Sequence, residues 1–308
     1  MKKIIIALVV IVLVGVGIGI YLFTRSSPST VNVLENQTPN TNTGQPQNGT
    51  KSSSTPSENT STNETVIGKS IQGNDIVAYH YGSGKKELLF IGAIHGGYEW
   101  NTALVAYDFV DYLKARPEAI PQNMTVTVIP VMNPDGLKKV VGTTGRFMTS
   151  DVPASQAVQI SGRFNSNNVD LNRNFDCDWQ ATGVWQSTPV SGGSAAFSEP
   201  ESRAIRDYVR AHNPTAVVVW NSAAGGVFSS SCHNGILAET KKITSIYATA
   251  SGYPAYDSFD FYKLTGDMAN WLAAENIPAI SVLLTTHKDV EWNKNLAGIQ
   301  ALLRYYGK

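Results

Sequence analysis

At positions 88–101 the sequence reads LLFIGAIHGGYEWN: an apolar run ends in a histidine, two glycines and, four residues beyond the histidine, a glutamate. Imidazole and carboxylate are a usual ligand pair for Zn²⁺, so His95 and Glu99 are candidates for a metal or catalytic site. Taken alone, the pair also fits a plainer reading, a satisfied strand-end histidine and a charge at a helix amino terminus. A second polar group lies at 169–175, VDLNRNF, with Arg163 shortly before it. Guanidinium and amide groups packed in this way suit carboxylate recognition, Arg by its planar two-pronged donor set. The alternative is a loop held by its own hydrogen bonds. Asn133-Pro134-Asp135-Gly136, as a bare tetrapeptide, is only a strong turn.

The elements that must hold these residues alternate along the chain. Apolar runs at 76–81, 88–93, 125–131, 216–220 and 279–284 read as strands. Apolar residues recur at helical spacing over 102–114, and Ser198-Glu199-Pro200-Glu201 reads as a capping box opening a helix through Ala211. Further helices are expected over 239–250 and 293–306. This order predicts a single α/β domain, its mixed and mostly parallel central sheet flanked by helices. In such sheets ligands bind beyond the carboxyl ends of strands, which is where His95 would stand, and Gly96 and Gly97 would let the backbone turn and approach a ligand closely.

Lys+Arg and Asp+Glu both number 24, so bulk charge gives no reason to expect nucleic acid as a partner. The two cysteines, Cys177 and Cys232, fit neither a disulfide-dense scaffold nor a cysteine zinc cluster, but could form one bridge. Residues 4–23 carry no charge and follow Lys2 and Lys3, long enough for a helix crossing a lipid bilayer. Residues 1–25 are therefore expected to be an uncleaved transmembrane anchor, with the remainder extracytoplasmic. A signal peptide is the competing reading. Residues 26–65, rich in Ser, Thr, Asn and Pro, read as a disordered, flexible linker, which leaves 66–308 as the folded domain.

Together the motifs resemble the zinc carboxypeptidases, the metallopeptidases of the carboxypeptidase A and B type. They come in the family's order from about Val66 to Tyr306: histidine and glutamate after a strand, N-P-D-G, D-L-N-R-N-F, S-E-P-E, and a late tyrosine before an apolar strand. The resemblance implies a Zn²⁺ cofactor, with His95 and Glu99 as two of its ligands. It implies that Asn172 and Arg173 hold the terminal carboxylate of a peptide substrate. Arg163 would polarise the scissile carbonyl, and Tyr262, nine residues before Trp271, would cap the substrate. Ala269, in the stretch that lines the family's specificity pocket, carries no charge and disfavours a preference for basic residues.

The chain departs from the family pattern at three places. His-x-x-x-Glu is one residue longer than the His-x-x-Glu of the best-known members. A third ligand is expected as a histidine where Asn221 stands, and a neutral amide is a poor zinc ligand. A general base is expected as a glutamate where Leu283 stands, and leucine cannot accept a proton from the attacking water. His233, which a Cys177–Cys232 bridge would pin near the D-L-N-R segment, is the candidate replacement ligand. His287, Asp289 and Glu291 lie four to eight residues past Leu283, a shift of roughly ten ångströms or more along an extended chain. Two functions follow as expectations: a membrane-tethered carboxypeptidase acting on peptides or cell-wall stem peptides, or an impaired member that binds carboxy-terminal carboxylates without turnover.

Overall fold

Four strands pair in parallel at the centre of an eight-stranded sheet: β4 (Met124–Ile129), β3 (Lys86–Ile91), β7 (Ala216–Ser222) and β10 (Ala279–Leu284), in that spatial order. Every residue of β7 is buried, because helices cover both faces of the sheet, and a strand covered on both sides reads as a continuous apolar run. The margins are built differently. On one side β2 (Asp75–Gly82) runs antiparallel to β4 and carries β1 (Glu64–Lys69). On the other, β8 (Gly226–Ser229) runs antiparallel to β10 and carries β9 (Ala255–Tyr256). The sheet is mixed, with a parallel centre, in a single α/β domain.

This computed structural model describes residues 63–308. The expected membrane segment and nearly all of the linker lie outside them. Among the described residues no helix is long and apolar enough to cross a membrane.

Alternate residues of each central strand enter opposite layers. Leu88, Phe90, Val218 and Trp220 meet Val105 and Phe109 of α1 (Trp100–Ala115) on one face. On the other, Leu89, Ile91, Val217 and Val219 meet Ile205 and Val209 of α4 (Pro200–His212), which follows α2 (Pro134–Val141) and α3 (Gln156–Ser161) in the chain. The first layer is completed by α5 (Ala238–Ser251) and α7 (Trp292–Tyr306), the second by α6 (Met268–Ala274).

The expected strands are present within one or two residues, and β1 begins at Glu64, inside the stretch read as linker. The expected capping box does not form. Glu199 is the N-cap and makes no side-chain cap bond, Pro200 takes the first helical position, and Glu201 turns away to accept from Ile71 N and Asn165 Nδ2. Strand segments of two to four residues went unread, among them β8, β9 and a separate hairpin of β5 (Thr182–Trp185) and β6 (Thr188–Ser191), because so few residues carry no resolvable period.

Cys177 and Cys232 are disulfide-bonded across 55 residues of chain. Closing a loop of that length should stabilise the domain by about 4 kcal/mol through the unfolded state. Cys177→Ser with Cys232→Ser is therefore expected to lower the thermal midpoint by about 10 °C in a calorimetric melt. An unchanged midpoint would show that the bridge contributes nothing.

Candidate metal centre and carboxylate pocket

The site begins where β3 ends. Ala93 and Gly96 both take positive φ, 47° and 46°, and a 3₁₀ turn over Gly96–Glu99 leads into α1. Asn133 caps α2 by accepting from Gly136 N at 2.9 Å, so N-P-D-G is a helix start as well as a turn. That start backs directly onto the His95 loop: a Cβ on Gly96 would come within 2.7 Å of Gly162 O, and one on Gly136 within 2.4 Å of the same oxygen. The glycines permit this approach, and the 3₁₀ turn spans the residues that follow His95 as far as Glu99.

Asp170, fully buried, organises the centre. Its Oδ1 lies 3.1 Å from His95 Nε2 and accepts from Asn172 N, while its Oδ2 accepts from Arg163 Nη2 at 2.7 Å. Despite burial, Arg163 and His95 hold the Asp170 carboxyl well below its ordinary range, so it is an anion and an acceptor only. His95 must then donate through Nε2, which leaves the lone pair of Nδ1 facing Glu99 Oε1 at 3.0 Å, without hydrogen-bond geometry. Burial and Arg163 push the His95 pKa down, but Glu99 and Asp170 outweigh them and the net direction is up. The surroundings favour a positive charge at Nδ1.

Among the buried side-chain atoms of the cavity wall without a hydrogen-bond partner are three that can offer a lone pair to a metal: His95 Nδ1, Glu99 Oε2 and Asn221 Oδ1. An imidazole nitrogen, a carboxylate and an amide oxygen are lone-pair donors that a divalent cation would satisfy, and the carboxylate behind the histidine is the usual second partner of a metal-bound imidazole. The residues present fit a metal, with the amide as a weak third ligand. Among the described residues no three His, Cys, Asp or Glu side chains gather to hold one. His233 does not join them. It sits on the rim of the same cavity, largely exposed, with Nε2 3.0 Å from Asp178 Oδ1. The bridge fixes Cys232 but lets the next side chain point outward.

A cavity of about 430 Å³ opens beside these atoms and is lined by His95, Glu99, Arg163, Asn172, Arg173 and Tyr262 among others. Arg163 is buried between aromatic faces, 4.3 Å from the Trp185 ring centre and 5.4 Å from that of Tyr98, with Nε unpartnered. Asn172 is held at both ends of its amide: Oδ1 accepts from Met268 N, and Nδ2 donates to Asp267 Oδ2 at 2.9 Å. One N–H of Nδ2 remains for a ligand. The Arg173 guanidinium donates to Val184 O and Asn172 O, so the β5–β6 hairpin serves to fix a cation in the pocket wall. Tyr262 lies over it, ring centre 5.8 Å from Cζ.

Leu283 also lines the cavity, and in the β10–β7 register it stands directly beside Asn221. Asp170 and Asp267 escaped the sequence reading. Asp170 belongs to the D-L-N-R segment but acts on a histidine 75 residues away. Asp267 is buried, its carboxyl pushed up by burial, and caps α6 while orienting Asn172. Ala269 lines the wall as expected.

The family model for zinc carboxypeptidases matches residues 55–292. The chain belongs to the zinc carboxypeptidase family. It is 26% identical over 226 residues to gamma-D-glutamyl-L-diamino acid endopeptidase 1 of Lysinibacillus sphaericus, covering 64% of this chain and 54% of that protein. It is 30% identical over 184 residues to carboxypeptidase Z of Rattus norvegicus, covering 56% and 26%. The chain thus spans about half or less of the length of these relatives. Among solved structures it is similar to murein-tripeptide amidase from Escherichia coli O157, with TM-score 0.54 and 20% identity over 78% of this chain and 91% of that one. Thrombin-activatable fibrinolysis inhibitor gives TM-score 0.63 at 17% identity, over 79% and 71%. At these identities the structures share the zinc carboxypeptidase fold.

Proposed function

We propose that this zinc carboxypeptidase is a metal-dependent hydrolase that acts on peptides ending in a free carboxylate, such as cell-wall stem peptides, tethered outside the cytoplasm through residues 4–23. The three unpartnered buried atoms of His95, Glu99 and Asn221 carry the reading, since they would hold the metal. When bound, the metal supplies Lewis acidity toward the scissile carbonyl and water. Asp170 keeps the His95 lone pair on the metal side, and Arg163 stabilises negative charge developing on the carbonyl oxygen. Asn172 and Arg173 hold the terminal carboxylate, and Tyr262 covers it. Stem peptides are favoured because one similar protein is named for a gamma-D-glutamyl-L-diamino acid linkage and a structural neighbour for murein tripeptide.

Leu283 favours a second reading, a member that binds carboxy-terminal carboxylates without turnover, because an apolar residue stands beside the weak third ligand. Zinc content and release of carboxy-terminal residues from a peptide panel separate the two. Bound zinc with chelator-sensitive release is expected; metal-free protein without release would leave only the binding module. In both readings the pocket takes a free carboxylate. Charge-assisted hydrogen bonds contribute about 1.5–3 kcal/mol, so amidating the peptide terminus should weaken binding by about tenfold or more in titration calorimetry. Equal affinities would place the ligand elsewhere.

A further inference from the structure

Beyond the residues that hold the carboxylate, the cavity continues along a wall built by the end of β8 and the start of α6, where Ser230, Ser231 and Asn270 line it. A series of short bonds ties this wall to the carboxylate pocket. Asp267 Oδ2 accepts from Asn172 Nδ2 at 2.9 Å, its Oδ1 accepts from Asn270 N at 2.9 Å, and Asn270 Oδ1 accepts from Ser231 N at 3.0 Å. A wall bonded in this way to Asn172 is within reach of the side chain on the residue whose carboxylate Asn172 and Arg173 hold.

Two polar groups of this wall lack a protein partner. Successive residues of an extended strand point to opposite sides, and Ser229 Oγ meets Thr244 Oγ1 of α5 at 2.8 Å, so Ser230 turns to the cavity side. Ser230 is 1% exposed, and its Oγ has no hydrogen-bond partner. In Asn270 the bond from Ser231 N fixes which end of the amide is the oxygen, and among the described residues neither proton of Nδ2 has an acceptor. The wall thus offers a ligand one hydroxyl and one amide nitrogen.

Neither sign of charge finds a partner deep in this wall. Both oxygens of Asp267 are spent on Asn172 and Asn270, and Asp178 stands at the exposed rim with His233. The two guanidinium groups of the cavity, Arg163 and Arg173, already serve the scissile carbonyl and the terminal carboxylate in the reading above. We infer that Ser230 and Asn270 select a carboxy-terminal residue whose side chain is uncharged and hydrogen-bonding, with the carboxamide of glutamine as the fitting class. The carboxamide oxygen accepts from Asn270 Nδ2, and its N–H donates to Ser230 Oγ. Leucine, of similar size, leaves both groups unpaired, and lysine or glutamate brings a charge that nothing there balances.

The assignment rests on Asn172 and Arg173 as the carboxylate holders, and titration calorimetry of the full-length chain tests the two separately. Among tripeptides ending in glutamine, leucine, lysine or glutamate, glutamine should bind about tenfold or more tightly than each of the others. Ser230 Oγ makes no bond within the fold, so S230A removes only the pocket's hydroxyl, and the glutamine-to-leucine affinity ratio should fall about fivefold or more. N270D keeps the acceptor for Ser231 N but puts a carboxylate oxygen where Nδ2 stands, and lysine should then bind more tightly than glutamine. Equal affinities across the four peptides, leucine or a charged residue ahead of glutamine in wild type, or ratios that neither variant moves would each overturn this inference alone. A glutamine peptide that binds as tightly with its terminus amidated, or no binding of any of the four, would overturn the carboxylate reading and this one with it.

Discussion

Replacement of Asp170 by alanine is expected to lower the thermal midpoint by about 10 °C or more, the largest loss of stability from any single side chain of the site. Asp170 accepts from Arg163, His95 and a backbone N–H in a place closed to water. Alanine would leave the Arg163 guanidinium charged, buried and unpaired, and breaking such a pair costs about 3–5 kcal/mol. It would also free the His95 ring to take either tautomer, so zinc affinity should fall by about 10–100-fold, the usual loss when a metal-bound histidine loses its outer partner. Calorimetric melting and competition with a zinc chelator measure the two effects. A midpoint within about 2 °C of wild type would mean that Arg163 finds another partner. Asp170→Asn separates them further, since the amide keeps the volume but only one acceptor.

Much of this centre could be read before the fold because its residues cluster in short segments. His95 with Glu99, and Asn172 with Arg173, need only one loop each, and every one of them lines the cavity. The central strands were legible for a related reason: burial on both faces makes residues 216–220 of β7 an unbroken apolar run and β10 one interrupted only by Ser281. What escaped depends on contacts between distant segments. Asp170 gains its role from His95, Asp267 from Asn172, and the β5–β6 hairpin from the Arg173 guanidinium it anchors. His233 shows the reverse failure. The disulfide places its neighbour beside the pocket, but nothing in the sequence says which way the following side chain points, and it points to Asp178 on the surface.

Asn221 and Leu283 can be tested together because they are neighbours across the β7–β10 pairing at the carboxyl ends of parallel strands. Asn221→His exchanges a neutral amide oxygen for an imidazole nitrogen without removing His95 or Glu99. Zinc prefers that donor, and the affinity should rise by about tenfold or more. Leu283→Glu then puts a carboxylate at the cavity wall, where it can accept a proton from water, and the double variant should hydrolyse peptides at least about 10²-fold faster than Asn221→His alone if proton transfer limits the rate. Because Leu283 is buried, the new carboxylate on its own is expected to lower stability by a few kcal/mol, roughly the cost of an unpaired buried polar group, and zinc should restore part of the loss. Isothermal titration with zinc, melting with and without the metal, and release of carboxy-terminal residues measure the three effects. If zinc binds the histidine variant no more tightly than wild type, Asn221 does not face the metal, and its unpartnered oxygen in the cavity that His95 and Glu99 line needs another explanation.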